Sequence, residues 1–290
     1  MTSSSPAVSI PTPPANGSFD PATIATTVRT AAQWLRRTTA LWLTVAVAGQ
    51  LLFGVYVLRF YGGAAWRGDF AQWSAVMPRG WVPGDHGGNA AVAVHLLVAL
   101  VICIGGLTQL VPIIRRRAPA VHRWMGRAFV TSAVLGATSG FWLQWVRGGT
   151  SSLPQRLGTT TNGLVILVCA WLAWRSIRRR DMSTHRRWAL RLFLASNGVW
   201  FFRIGLMFTL LAFGRPIGFD PETFRGPLLV GLAWAETIVP LGLLELWLRS
   251  ERAATALPRW AMSALLVLLS VATGMGVTGA AMMLWLPHLR

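Results

Sequence analysis

The sequence contains no lysine: its 27 basic residues are all arginine, set against only nine acidic ones. Charged residues make up 12% of the chain, where soluble domains carry roughly 25%. That scarcity excludes an ordinary soluble fold. A formal charge of +18 would suggest nucleic acid as the partner of a soluble chain. Here the arginines lie in short stretches between apolar runs, where membrane topology calls for them, so no nucleic-acid partner is implied. The missing lysine reads as a bias towards GC-rich codons rather than as a mechanism.

Cysteine is nearly absent too. Cys103 and Cys169 both fall inside apolar runs, so there is no disulfide framework to read, and each is expected to act as a small buried hydrophobe. Nor does the chain hold a phosphate loop, a Cys-x-x-Cys pair, a His-Glu-x-x-His motif or a nucleophile elbow. Hydrolase chemistry has no visible support, and whether the protein is an enzyme stays open.

What is abundant is apolar sequence: 53% of the residues, with a mean hydropathy of +0.50. A helix needs about 20 residues to cross the hydrocarbon core. Seven runs are read as spans: Ala40–Leu58, Ala90–Ile113, Ala128–Val146, Thr160–Trp174, Trp188–Phe213, Pro227–Leu248 and Trp260–Leu286. The expected fold is an all-α integral membrane protein of about seven transmembrane helices with a repeated four-helix core, its natural partner the lipid bilayer. Residues 1–38, rich in Ser, Thr, Pro and Ala at their start, read as a disordered cytoplasmic tail. Residues 39–290 form the polytopic domain, with its core at 90–213. The tail lacks the charged start and apolar centre of a cleaved signal, so the first span reads as an uncleaved anchor.

Orientation follows from the arginines. Eighteen lie on the side of the N-terminus, eight on the other, and Arg203 is intramembrane. The N-terminus is therefore expected in the cytoplasm of a cell with an inner membrane and the C-terminus outside. Glycine pairs such as Gly136 and Gly140, and the run Gly274–Ala280, predict close helix contacts.

One basic stretch is written twice. "IRRRAPAVHR" (Ile114–Arg123) recurs 63 residues later as "IRRRDMSTHR" (Ile177–Arg186), identical at six of ten positions. Topology explains the arginines but not the fixed spacing to His-Arg. The spacing suggests a parallel repeat, spans two and three matching spans four and five. His122 and His185 would then sit at one depth and ligate one metal centre, bis-histidine haem b being the common case in helical bundles. Arg123 and Arg186 would hold the propionates. The bland reading is that both pairs touch lipid phosphates.

Ionisable groups inside spans are costly and mark function by default. Arg203 lies about 15 residues into span five, roughly 22 Å deep at 1.5 Å per residue. Glu236 and His95 fall at similar depth, with Gln144 and Asn162 nearby. They define an outward-facing pocket for a small anionic ligand, or, more simply, an Arg203–Glu236 ion pair locking two helices. Asp85 and His86 would contribute from the first external loop, whose Trp66, Trp73 and Trp81 make it either a lid or an interfacial anchor. Glu245 and Arg249 have the spacing of an ordinary helix pair, Gln50 and Asn197 are expected to bond neighbouring helices, and His288 carries no clear chemistry.

The run "HLLVALVICIGGLTQLVPIIRRRAPAVHRWMGRAF", then "RRRDMSTHRRWALRLF" and Arg203, resembles the bacterial domain-of-unknown-function family 2306 over about residues 90–210. The features carrying it are His95, Gln109, His122-Arg123-x-x-Gly126, His185-Arg186-Arg187-Trp188 and Arg203. Such a resemblance implies a multi-span membrane protein and supplies no activity. A looser similarity runs to two-haem, ascorbate-reducible cytochromes b, and it implies His122 and His185 as one ligand pair and His95 as half of another. The fourth span has no histidine to complete that second pair, so at most one haem is implied. Three functions stay open: a redox component with one b-type haem serving a quinone or cytoplasmic donor, a transporter or sensor of a small anion, and a structural membrane protein.

Overall fold

The computed structural model describes residues 21–77, 79–148 and 151–289. Ten α-helices follow in chain order: α1 (Pro21–Tyr56), α2 (Gly63–Trp66), α3 (His86–Leu110), α4 (Pro112–Arg117), α5 (Pro119–Phe141), α6 (Leu153–Arg178), α7 (Met182–Ser196), α8 (Gly198–Phe213), α9 (Pro227–Arg252) and α10 (Leu257–Ala280). Among the described residues there is no strand, only an isolated bridge between Asp220 and Arg225.

Five helical stretches are long and apolar enough to cross a membrane: Ala22–Trp66, α3, α6, α9 and Leu257–Leu289. A sixth forms if α7 and α8, bent by 50° at their junction, count as one. The seven expected spans therefore become five or six. The shortfall is α5, which is long enough but carries His122, Arg123 and Arg127 in its first turns and Thr131, Ser132, Thr138 and Ser139 further on.

The helices close a ring. α1 packs on α10 and α3, α3 on α5, α5 on α6, α6 on α9, and α9 on α10. The bent α7–α8 runs within it, touching α6, α9 and α10, while Trp200, Ile204 and Met207 of α8 join a core cluster with Phe53 and Tyr56 of α1 and Val92 of α3. Outward, Leu97, Ile238 and Leu268 are exposed, the pattern of helices whose outer solvent is lipid rather than water. Arg–Trp stacks line the arginine-rich face, among them Arg127 on Trp124, Arg178 on Trp174 and Arg191 on Trp188. Such rings sit at the headgroup level.

Residues 1–20 of the expected disordered tail lie outside the described residues, and from Pro21 the tail is helical rather than disordered. Once a span nucleates a helix, extending it costs little. Thr26, Thr27 and Thr30 each return their hydroxyls to the carbonyl four residues back. Within the expected core, α3 packs on α5 and α6 on α7.

α1 does not stop at Tyr56 but continues through a π turn, Val57–Gly62, into α2. Two more π turns, Trp142–Val146 and Ala281–Trp285, extend α5 and α10. Their contacts with α1 and with the start of α3 place all three at one end of the bundle, the end towards which Arg203 lies. Extra-residue turns of this kind concentrate near functional sites.

Candidate functional site

The two repeated histidines do occupy equivalent places. Each is the fourth residue of its helix, and each backbone N–H bonds the residue before that helix: His122 to the Ala118 carbonyl at 3.1 Å, His185 to that of Asp181 at 2.9 Å. His122 lies within electrostatic reach of His185 and Arg115. The Nδ1 of His185 is 3.0 Å from the Ala173 carbonyl, which assigns the proton to Nδ1 and leaves Nε2 free. The Nδ1 of His122 is buried without a partner. Arg186 is engaged elsewhere, with Glu251 at 3.3 Å and stacked on Trp247, and Arg123 is exposed. Among the described residues no cluster of three or more His, Cys, Asp or Glu could hold a metal ion, so a metal centre here would rest on two protein ligands.

Arg203 projects from the second turn of α8, and its guanidinium carbon lies 5.0 Å from the Phe53 ring centroid. Its charge reaches Tyr56, Tyr61, His95 and Cys103. Tyr56 and Tyr61 meet edge to face at 5.9 Å, and Tyr56 lies 6.3 Å from Phe53. The Tyr56 hydroxyl is buried; its contact with Tyr61 falls outside hydrogen-bonding geometry, and it has no other partner. On α3, the Nδ1 of His95 contacts the Ser139 hydroxyl at 3.1 Å, and its ring rests over Gly140. The loop between α2 and α3 packs at this end. Trp73 is buried and donates from its indole nitrogen to the Tyr61 carbonyl at 3.0 Å, while Phe70 stacks on Trp81 at 4.7 Å. Trp66 stays exposed.

Several expected partnerships are replaced. No ion pair joins Arg203 to Glu236 among the described residues. Glu236 faces away from the Arg203 cluster, into an apolar space between α1, α8, α9 and α10. Gln144 does not reach the pocket: its amide bonds the Arg156 carbonyl at 3.2 Å and Arg156 returns the bond. Asn162 packs against Gly198 at the α7–α8 junction. Asp85 caps α3 and pairs with Arg147 at 3.1 Å. Glu245 meets Arg191 of α7 at 2.6 Å rather than its helical neighbour Arg249.

Sequence reasoning missed Phe53, Tyr56, Tyr61 and His288. The last packs its ring 5.3 Å from Phe60 and 6.5 Å from Tyr56. The available signal was the spacing Phe53, Tyr56, Phe60, which stacks aromatics along one helical face.

Fold and surface together define a helical multi-span membrane protein with polar groups held inside the bundle. The chain belongs to the family described as "Predicted membrane protein (DUF2306)", whose profile matches residues 92–239. No curated protein and no solved structure matches it. The matched region holds His95, His122, His185, Arg203 and Glu236. It leaves out α1, and with it Phe53, Tyr56 and Tyr61.

Proposed function

We propose that this protein is a membrane-embedded receptor or carrier for a small anionic ligand, held at Arg203 on the arginine-poor side. The observation that carries this reading is the guanidinium itself: it is half-buried against Phe53 with no carboxylate partner among the described residues. A cation taken out of water without a counter-charge is expensive, and an anion relieves that cost. Arg203 is suited to bind a carboxylate or phosphate through two parallel hydrogen bonds. The unpartnered Tyr56 hydroxyl can donate a further one. The Trp73 loop keeps water from the site. By its arginine distribution the N-terminus is cytoplasmic and the site faces outward across the inner membrane.

The test uses the purified full chain in lipid nanodiscs, titrated with benzoate, acetate and inorganic phosphate. At least one should raise the unfolding temperature, and Arg203→Gln should abolish that rise while Arg203→Lys keeps part of it. A panel with no effect, or an equal effect on Arg203→Gln, overturns the reading. Uptake into proteoliposomes then separates carrier from receptor.

A second reading rests on a different observation, the buried unpartnered Nδ1 of His122 close to His185. In it the two imidazoles hold one b-type haem, which would supply one-electron chemistry towards a quinone, with Ala173 fixing the tautomer of His185. A Soret band in the purified protein, lost in His122→Ala and His185→Ala, is the expected result. A colourless folded sample from haem-sufficient cells ends this reading.

A further inference from the structure

Glu236 lies away from both sites and has no use in either. It sits two turns into α9, 3% exposed, with Oε1 buried and unpartnered. Four residues on, Pro240 stands inside the same helix. Proline has no N–H, so the helical bond that would occupy the Glu236 carbonyl is missing. The carboxyl oxygen is thus an unfilled acceptor, and the backbone oxygen lacks its usual helical donor.

Glu236 is on the wall of a half-open cavity of about 340 Å³ bordered by α1, α3, α7, α8, α9 and α10. The volume falls within the usual range for small-molecule sites, roughly 300–1,000 Å³. Its walls are apolar, with Phe193, Phe201, Trp42 and Trp247 supplying aromatic faces, and Glu236 is the only ionisable residue among the described residues lining it. An apolar cavity with a few convergent polar groups is the usual form of such a site. The indole N–H groups of Trp42 and Trp247 and the Thr39 hydroxyl are spent on Thr273, Thr39 and the Leu35 carbonyl, so none of these donors is turned to Glu236.

We propose that the cavity binds a lipophilic amine, a compact apolar body with one ammonium group. An ammonium carries three donors and no acceptor, enough for both Glu236 oxygens, and its charge answers the only carboxyl present. The tryptophans and phenylalanines offer faces that attract cations. A quinone would bring only acceptors, and a fatty acid would set a second carboxyl beside the first. Neither completes the site.

The experiment compares phenylbutylamine, phenylbutanol and phenylbutyrate on the full chain in nanodiscs, with empty nanodiscs subtracted. The amine should bind about tenfold or more tighter than the alcohol, as a charge-assisted bond does, and the acid should not bind. Glu236→Gln should bring the amine down to the level of the alcohol and leave the alcohol unchanged. Leu266→Trp, which fills the cavity from α10, should remove both. Arg203→Gln should leave amine binding untouched, so failure here and failure of the anion site are separable. Equal binding of amine and alcohol, tighter binding of the acid, or an amine that survives Leu266→Trp overturns the proposal. The ranking of the three compounds on the unaltered protein decides the matter even if Glu236→Gln does not fold.

Discussion

Gln50 of α1 donates from Nε2 to the Oδ1 of Asn197 at 3.0 Å, and Asn197 donates from Nδ2 to the Phe193 carbonyl at 2.7 Å. Together these bonds tie α1 to the bend between α7 and α8 and keep the Phe193 carbonyl paired there. At the junction the Asn197 N–H turns to the Leu194 carbonyl, three residues back. That leaves Phe193 without its usual donor four residues on, and the Asn197 side chain fills the gap. Kinks have identifiable causes; here it is an asparagine that substitutes for its own backbone.

Asn197→Ala removes both bonds at once. It is expected to destabilise the fold by roughly 1–3 kcal/mol, the cost of leaving buried polar groups unmet. Gln50→Ala should cost less, and the coupling between the two in a double-mutant cycle should fall near 0.6–1.7 kcal/mol, as for other interhelical bonds in membranes. Denaturant unfolding in mixed micelles reads these values. Strict additivity of the two substitutions would show that the bond does not tie α1 to the bend.

The glycine-rich end of α10 gives a second contrast. A methyl group on Gly276 would overlap the Ile204 side chain and carbonyl, and on Gly279 it would stand 2.9 Å from the Met207 carbonyl. Gly231 and Gly242 of α9 have nothing near. Gly276→Ala should therefore lose about 1–3 kcal/mol through overpacking. Gly231→Ala should be neutral or slightly stabilising, since alanine favours helix. Thermal unfolding of the two single variants side by side checks this, and equal effects would refute the close approach of α8 to α10.

Helix class, the basic loops and the close-packing glycines were legible in the sequence because each has a local signature: a run length, a charge cluster, a small-residue spacing. So was the equivalence of His122 and His185, since spacing from a helix start fixes position. Partnership between distant groups was not. Arg203 and Glu236 share a depth, but depth is one coordinate, and the angle around each helix decides who meets whom. Arg203 of α8 turns towards α1 and α3, whereas Glu236 of α9 turns to the cavity. The bend at Asn197 and the π turn after Tyr56 both shift that angle, and neither can be read from periodicity.

Two ion pairs join α7 to α9, and they should differ in weight. Arg191–Glu245 is close, at 2.6 Å, with the arginine side chain 20% exposed. Arg186–Glu251 is longer, at 3.3 Å, and both side chains are 41% exposed or more. Exposed pairs contribute about 0–1 kcal/mol, and salt screens them further. Glu245→Gln is thus expected to lower the unfolding temperature measurably and Glu251→Gln hardly at all. Raising salt should narrow the difference between wild type and Glu251→Gln first. A larger loss from Glu251→Gln would reverse this ordering.

Asp181 offers a pH-dependent contribution on the loop that carries the second histidine. Its Oδ1 accepts from the Thr184 backbone N–H at 3.0 Å and from the Ser183 hydroxyl at 2.9 Å. These bonds, the backbone one first, hold its carboxyl down at about 2 from the usual 3.8. The folded value lies below the unfolded one, so the unfolded chain binds the proton more readily. The cap's contribution is therefore whole above about pH 4 and fades as pH falls towards 2. Asp181→Ala should remove it at neutral pH and should flatten the acid limb of the stability curve. Because the His185 N–H bonds the Asp181 carbonyl, hydrogen exchange over residues 182–186 should speed up in the same variant. Unchanged exchange there at neutral pH would mean that α7 starts without help from its cap.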